Sequence, residues 1–526
     1  MKHLKNIVIT IILLSMALTL VGCGGGGNDK KRDKNTLNVL VFNGGYGMEY
    51  IERIAEAFEA EYPGITVDIE ETRQYSEVQQ QVEADRYVAD VIITIASYTK
   101  LGAVGKVLDI SDVYASNAFG ETDLTIAEKL GEAADSNIFD GKYYQMPVHA
   151  GSTGLVYNKV YLDAVLGEGN YELPVTSNQL KAMFDRIKEN GGWATVYTNS
   201  TEAEYPIYLR DIWMAQYMGY DDFKNYFNLS YTNNNGEVVK ANTADELSAA
   251  IRPARESALK ALASICSNKL GYAPESASTM SFSQAQAYFV GYTSQPDVKI
   301  VDGHKGAAFM VNGDWLYSEV EKYAASVELD IRAMRTPINS AIIDKLSSVN
   351  TDEQLAECVK YIDSVLDGKE GTKPAYLNDA DYARLLEARR MVWTTHTQQI
   401  ATIPANCSDA TVAKDFLKFI ASDASALAYS DSLKGMKSIF NDAIISESRL
   451  NSFTESVNKA WNTEPLRVTG MQTPYSLYGS LNFNRYYYFV QELFKVDDVE
   501  DDVNKIISWT EQNLRDTWGT IVGAVQ

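Results

Sequence analysis

The chain has 526 residues, a formal net charge of −23 and a hydrophobic fraction of 45%. This length is sufficient for two or more domains around a large core. The excess of 70 acidic over 47 basic residues argues against a nucleic-acid-binding protein, because such proteins present a basic surface to phosphates. One apolar run near the N-terminus excludes a polytopic membrane protein. The aromatic fraction of 11% indicates a folded chain.

Residues 1–22 have the pattern of a secretory signal peptide. A basic start precedes an apolar run over Ile7–Val21. The run ends in Leu20-Val21-Gly22-Cys23, which resembles the lipobox of bacterial lipoproteins. In a lipobox the cysteine is acylated and becomes the new N-terminus, so the resemblance makes Cys23 the expected lipidation site. The alternative is an uncleaved anchor helix with an incidental cysteine.

Residues 23–36 are interpreted as the lipidated cysteine and a flexible tether. Gly24–Gly27 precede a stretch that is rich in Lys and Asp and has no apolar residue to bury. We expect this segment to hold a folded, outward-facing body away from a membrane surface.

The other cysteines do not indicate a disulfide framework. Cys266, Cys358 and Cys407 are far apart and odd in number. This pattern favours small buried packing residues, while a bridge between two of them stays open.

The body begins with alternating strands and helices. Hydrophobic periodicity predicts a strand at 37–42, a helix from about 50, a strand at 65–69, a helix at 76–85 and a strand at 90–94. This β-α-β-α-β order is typical of a parallel sheet covered by helices. Ligands of such sheets bind beyond the carboxyl ends of the strands.

The rest of the chain is predicted to be mainly helical. Residues 174–296 are rich in helical patterns, Trp and Tyr, and a strand at 306–311 is followed by a further helix. Residues 341–395 have the pattern of two or three amphipathic helices. Helices are also expected at 411–420 and over most of 476–519.

Four separated motifs carry a resemblance to one family. They are similar to its F-x-x-x-Y-P-G-I-x-V, P…L-x-Y-N-K, A-A-M-x-x-x-G-x-W and A-x-x-F-L-x-F-L patterns. In this sequence the four stretches are Phe58–Val67, Pro147–Lys159, Ala307–Trp315 and Ala413–Ile420. In this order, and with the lipobox, they resemble the extracellular solute-binding proteins of ABC importers, of the carbohydrate (maltose-binding) type.

The resemblance implies an α/β, two-lobed periplasmic-binding-protein-like fold with parallel-rich sheets covered by helices and a hinged cleft between the lobes. The implied N-terminal lobe comprises 37–147 plus 397–447, and the C-terminal lobe comprises 148–396 plus 448–526. Family members have a much shorter link where this chain has residues 339–399. We interpret that stretch as a helical insertion that caps the substrate lobe or meets a partner.

A sugar site needs rigid aromatic rings for the C–H faces of the sugar and polar side chains for its hydroxyls. Such residues are expected where strands end and at the positions where the family places its ligand contacts. The predicted substrate-binding residues are Asn43, Tyr46, Gln74, Ser97, Tyr98, His149, Tyr208, Asp314, Trp315 and Tyr475.

Each of these positions also has a purely structural interpretation. Trp315 is the strongest candidate, because the family places a stacking tryptophan at this motif position, but a core tryptophan at a helix start fits the same pattern. Asp314 could accept sugar hydroxyls or cap that helix. Asn43 and Tyr46 could form a tight turn, and His149 could be a satisfied hinge histidine.

The sequence lacks the motifs of the commonest enzymes and metal sites. The four histidines are scattered, so no metal and no cofactor is expected. Neither G-x-S-x-G nor a phosphate-binding loop is present.

The predicted function is that of a monomeric, non-enzymatic lipoprotein on the outer face of the cell membrane. It would capture a mono- or oligosaccharide and deliver it to ABC permease subunits, with no role in nucleic-acid binding. The alternatives are a surface lipoprotein for a non-sugar solute and a secreted carbohydrate-active enzyme.

Overall fold

The computed structural model describes residues 35–197, 205–394, 399–468 and 498–525. The predicted signal peptide, Cys23, almost all of the tether and Tyr475 lie outside the described residues. No helix in the described ranges combines the length and the apolar character that a membrane span requires.

The strands are numbered in chain order. They are β1 Thr36–Phe42, β2 Thr66–Thr72, β3 Val91–Thr94, β4 Ile138–Phe139, β5 Lys142–Tyr143, β6 Met146–His149, β7 Ser152–Asn158, β8 Ser230–Thr232, β9 Val238–Lys240, β10 Ile300–Val301, β11 His304–Lys305, β12 Phe309–Gly313, β13 Ile331–Met334, β14 Met391–Thr394, β15 Gln399–Thr402 and β16 Leu466–Val468.

The α-helices surround these strands. They are Glu49–Glu61, Tyr75–Glu83, Thr99–Ala103, Ser111–Tyr114, Ile126–Leu130, Glu132–Asp135, Lys159–Leu166, Ser177–Glu189, Pro206–Met218, Tyr220–Phe227, Ala244–Cys266, Phe282–Phe289, Leu316–Val320, Asp352–Leu366, Asp379–Arg390, Ala410–Ile420, Asp423–Ser432, Ser452–Trp461 and Val499–Val525.

The first sheet has the strand order β2-β1-β3-β15-β6. β1 pairs in parallel with β2 and β3, whereas β15 pairs antiparallel with β3 and β6. The predicted β-α-β-α-β start is confirmed in this sheet. The helix Glu49–Glu61 buries Tyr50, Ile54 and Phe58 on one face, as its periodicity predicts.

The second sheet has the order β12-β7-β14-β16, with β13 also pairing with β7. The pairs of β7 with β12, β13 and β14 are antiparallel, and β14 and β16 are parallel. Parallel pairing therefore dominates only in the opening part of the chain. The chain passes from β6 into β7 through Ala150 and Gly151, so the two sheets belong to two adjacent lobes. The predicted α/β, two-lobed fold class is confirmed.

The helical insertion has its own small core. Its helices Asp352–Leu366 and Asp379–Arg390 bury a cluster that includes Leu355, Ile362 and Leu385 together with Val175 of the second lobe. The helical prediction for 341–395 is wrong at its end, because Met391–Thr394 is strand β14 of the second sheet. A four-residue strand directly after a helix is too short for its own periodicity to be recognised.

Cys266 and Cys358 are buried free thiols, and Cys407 is half-buried. The first two serve as small packing residues, as the sequence predicts.

An ion pair joins the two helices of the insertion, and its arginine also bonds to the backbone of the second lobe. Arg389 is 5% exposed and donates Nε and Nη2 to the two carboxylate oxygens of Asp363, at 2.8 and 2.7 Å. Its Nη1 donates to the backbone oxygen of Thr336 at 2.7 Å. This bidentate geometry gives Arg389 a role that an exposed lysine could not fill.

We expect Arg389→Met to lower the free energy of unfolding by about 2–4 kcal/mol, because the Thr336 oxygen loses its donor and half-buried Asp363 keeps only a 3.4 Å contact with Arg335. Urea denaturation measures this loss. Lys373→Met is the control, since Lys373 and its partner Asp379 have side chains that are 36% and 98% exposed. That control should cost less than about 1 kcal/mol. Equal losses in both variants would contradict the role of Arg389.

Candidate functional site

A hydrogen bond joins the two lobes at the end of strand β1. The hydroxyl of Tyr46, in the turn after β1, donates to Asp314 Oδ1 at 2.6 Å. Asp314 directly follows β12 of the second sheet, and its Oδ2 accepts from the backbone N–H of Ser152 at 3.0 Å. The backbone N–H of Asp314 donates to the Ser152 oxygen at 2.9 Å. Asp314 is thus held by β7 of its own lobe and presents one oxygen to the other lobe.

Trp315 lies in the same contact between the lobes. It is 3% exposed, and a Cβ on Gly45 would lie 2.7 Å from its Cβ, Cγ and Cδ1. Only glycine at position 45 therefore lets the first lobe approach the indole this closely. A sugar ring can reach this part of Trp315 only after the lobes separate.

Aromatic side chains of the second lobe surround Trp315. The ring of Tyr205 lies 6.2 Å from Trp315 and 5.1 Å from Phe282, measured between centroids. Tyr208 lies 5.3 Å from Tyr205 and stacks on Trp393 at 5.4 Å. The sequence prediction included Tyr208 and Trp315 but missed Trp393, because the region of β14 was assigned to helix.

The first lobe contributes a polar surface at its strand ends. Asn43 follows β1 and donates from Nδ2 to Glu71 Oε2 at 2.5 Å. Gln74 follows β2 and is exposed, and Ser97 follows β3 and is exposed. These three side chains therefore occupy the carboxyl ends of parallel strands, where hydroxyl partners are expected.

Tyr98 does not belong to this surface. Its side chain is fully buried and packs in a cluster of the first lobe with Val78, Leu101 and Tyr144. The strand-end position gave no indication of this orientation, because consecutive residues after a strand can turn either way. Tyr98 is therefore omitted from the proposed site.

His149 lies beneath Tyr46 at the end of β6. The two rings stack with centroids 3.8 Å apart, and Nδ1 of His149 is 2.8 Å from the hydroxyl of Tyr429. Burial lowers the pKa of His149 to about 3, so the ring is neutral at physiological pH. His149 therefore supports Tyr46 from within the core and brings no charge to the site.

Two carboxyls near the aromatic cluster have raised pKa values. Burial raises the pKa of Asp314 to about 6, although hydrogen bonds and the charge of Arg467 act in the opposite direction. Burial likewise raises the pKa of Glu319 to about 7, and Glu319 accepts a hydrogen bond from Gln286. A change in the solvation of either carboxyl therefore changes its pKa.

A separate cavity of about 860 Å³ lies beside the crossing between the lobes. It is lined by His149, Ala150 and Arg467 and by a set of acidic side chains. These are Glu121, Asp123, Glu128, Glu132, Asp423 and Asp442. Its acidic character distinguishes it from the aromatic surroundings of Trp315.

The arrangement around Trp315 suits reversible binding of a neutral polar ligand. Aromatic faces come from the second lobe, and amide and hydroxyl groups come from the first. Within the described ranges, no three His, Cys, Asp or Glu side chains come together as metal ligands would.

The fold and this contact between lobes define a two-lobed solute-binding protein. Residues 44–344 match the model of the bacterial extracellular solute-binding protein family, and the chain belongs to this family. No curated protein is significantly similar to the chain in sequence.

Solved structures share the fold at low sequence identity. RafE of Streptococcus pneumoniae, solved in complex with raffinose, has a TM-score of 0.56 and 13% identity over 91% of this chain and 99% of its own. A chitin oligosaccharide binding protein has a TM-score of 0.54 and 14% identity over 91% and 99%. An ABC substrate-binding protein of Listeria monocytogenes, in complex with cycloalternan, has a TM-score of 0.53 and 13% identity over 93% and 100%.

The raised pKa of Asp314 predicts a pH-dependent stability. Its carboxyl binds a proton near pH 6 in the folded protein and near 3.8 in the unfolded chain. The stabilisation from this group is therefore present below about pH 4 and is lost as the pH rises to about 6. The loss is on the order of 3 kcal/mol.

Asp314→Asn removes this titration. We expect the free energy of unfolding of the wild type, minus that of the variant, to fall between pH 4 and pH 7 in chemical denaturation. The opposite pH dependence of His149 is common to both proteins and cancels. Parallel pH profiles for the two proteins would contradict a buried, proton-binding Asp314.

Proposed function

We propose that this protein is a lipid-anchored receptor that captures a saccharide between its two lobes and delivers it to the permease of an ABC importer. The observation that carries the proposal is the placement of Trp315 and its aromatic neighbours opposite the polar strand ends of the first lobe.

The physical argument concerns the two surfaces of a sugar. Its C–H faces pack on aromatic rings, which lose little conformational entropy on binding. Its hydroxyls need partners, because an unpaired buried hydroxyl costs about 1–3 kcal/mol. Trp315 and Tyr208 supply the first kind of contact, and Asn43, Gln74 and Ser97 supply the second.

In the proposed mechanism, the contact between Tyr46 and Asp314 opens and forms again as the lobes move. In this conformation Gly45 touches Trp315, so the two lobes contact each other directly. A ligand on the indole separates these two residues and contacts both lobes itself. Closure around the ligand then changes the shape of the surface that the permease meets.

The structural relatives support a saccharide as the ligand. Raffinose, chitin oligosaccharide and cycloalternan are the compounds named with the three solved structures that share the fold. The proposed lobes are 37–147 plus 397–447 and 148–396 plus 448–526, with Cys23 as the acylated anchor and Tyr475 as an additional contact. We further propose that the protein acts as a monomer and catalyses no reaction.

A thermal-shift screen of residues 36–526 against mono- and oligosaccharides tests the ligand class. A ligand at 100 times its Kd should stabilise the protein by about 2.7 kcal/mol. In a protein of this size we expect the melting temperature to rise by a few degrees, roughly 1–3 °C. A melting-temperature shift with another solute class but with no saccharide would reject a saccharide as the ligand. Turnover of a labelled oligosaccharide would reject a receptor without catalytic activity.

We expect Trp315→Ala to weaken binding of the saccharide found in this screen by about 10- to 100-fold, or 1–3 kcal/mol, because the stacking surface is lost. Isothermal titration calorimetry measures the change. Trp509→Ala is the control, since Trp509 is 46% exposed on the C-terminal helix and should leave affinity unchanged. Unchanged affinity in Trp315→Ala would remove Trp315 from the site.

A further inference from the structure

Two buried polar groups on neighbouring strands of the second sheet have no hydrogen-bond partner among the described residues. The indole Nε1 of Trp393 and the hydroxyl of Thr153 form no hydrogen bond with any residue that the structure describes. Trp393 is 5% exposed and Thr153 is fully buried. Native proteins rarely leave buried donors unsatisfied, so each such group calls for an explanation.

The two groups belong to one row of the sheet. Trp393 of β14 is in register with Thr153 of β7, and Thr153 is in register with Gly313 of β12. Side chains of paired residues stand on the same face of a sheet. A Cβ on Gly313 would collide with the six-membered ring of Trp315, so Trp315 lies on this same face.

The row lies next to the contact between the lobes. Thr153 is the second residue of β7, directly after the crossing from the first lobe. Trp393 is stacked on Tyr208, which connects it to the aromatic cluster around Trp315. Trp393, Thr153 and Gly313 thus share one face at the end of the sheet with Trp315.

Other buried tryptophans of this lobe have partners. Trp213 Nε1 donates to the Pro337 oxygen at 2.8 Å, and Trp461 Nε1 donates to the Met334 oxygen at 2.9 Å. The lobe therefore satisfies an indole N–H where its role is packing. The absence of a described partner at Trp393 is a local feature of the row that faces the other lobe.

We propose that Trp393 and Thr153 form a polar subsite of the second lobe, donating hydrogen bonds to oxygen atoms of a bound saccharide. This inference rests on the proposed function and extends it to residues that the sequence did not indicate. Because an indole N–H can only donate, the subsite selects a sugar oxygen that is free to accept, such as a hydroxyl or a glycosidic oxygen. Separation of Gly45 from Trp315 gives the sugar access to the row.

The test uses Trp393→Phe and Thr153→Val, which remove the donors and keep most of the side-chain shape. The probes are raffinose, xylotetraose, chitotetraose and maltotetraose, titrated by calorimetry into the wild type and each variant. We expect each variant to bind the recognised saccharide about 10-fold more weakly. The melting temperature without saccharide should stay the same or rise, because a buried unpartnered donor has been removed.

Trp461→Phe is the matched control. It removes an indole N–H that has a backbone partner, so it should lower the melting temperature and leave the affinity unchanged. If Trp393→Phe does not fold, Thr153→Val carries the test alone.

The outcomes separate the two proposals. Wild-type binding with affinities within twofold in both variants overturns the subsite and leaves the proposed function standing. A loss of melting temperature in Trp393→Phe as large as that in Trp461→Phe, without loss of affinity, assigns Trp393 to packing. No binding of any saccharide by the wild type, in these titrations and in the thermal-shift screen, overturns the proposed function, and the subsite with it.

Discussion

The hydrogen bond from Tyr46 to Asp314 is the constraint on which the geometry of the site depends. It joins the turn after β1 to the residue after β12 and brings Gly45 against Trp315. Its acceptor is held by the backbone of Ser152, and its donor is stacked on His149, so both partners are positioned by buried neighbours. Such support makes the contact reproducible each time the lobes meet. The same contact covers the indole, so a ligand and the direct contact between the lobes compete for one surface.

This competition gives the two lobes distinct roles. The second lobe holds the aromatic residues Tyr205, Tyr208, Trp315 and Trp393 in one connected cluster. The first lobe offers exposed polar strand ends that need little rearrangement to meet hydroxyls. His149 is neutral and brings no charge to the intervening layer, and Asp314, which is mostly ionised at pH 7 with a pKa near 6, interacts with the opposite charge of Arg467. An uncharged, polar ligand fits these surroundings better than an ionic one.

Much of the fold could be predicted from the sequence because it depends on local periodicity. The opening strands and the helix with Tyr50, Ile54 and Phe58 were predicted from apolar spacing alone, and family motifs indicated Trp315. Strand β14 could not be recognised, because four residues that follow a helix carry no period of their own. Trp393 was missed together with this strand. Tyr98 was misplaced because the direction of a side chain beyond a strand end depends on tertiary packing. The cross-lobe partner of Tyr46, 268 residues away, is likewise a product of the tertiary fold.

The most direct test of the central claim is a crystal structure of the protein with the saccharide that it binds. We predict sugar density between the Gly45 turn and the indole of Trp315, with these two residues farther apart than in the closed contact. The polar strand ends of the first lobe should contact hydroxyls of the same sugar. Density at a surface away from Trp315, with the Gly45–Trp315 contact unchanged, would contradict an interlobe binding site.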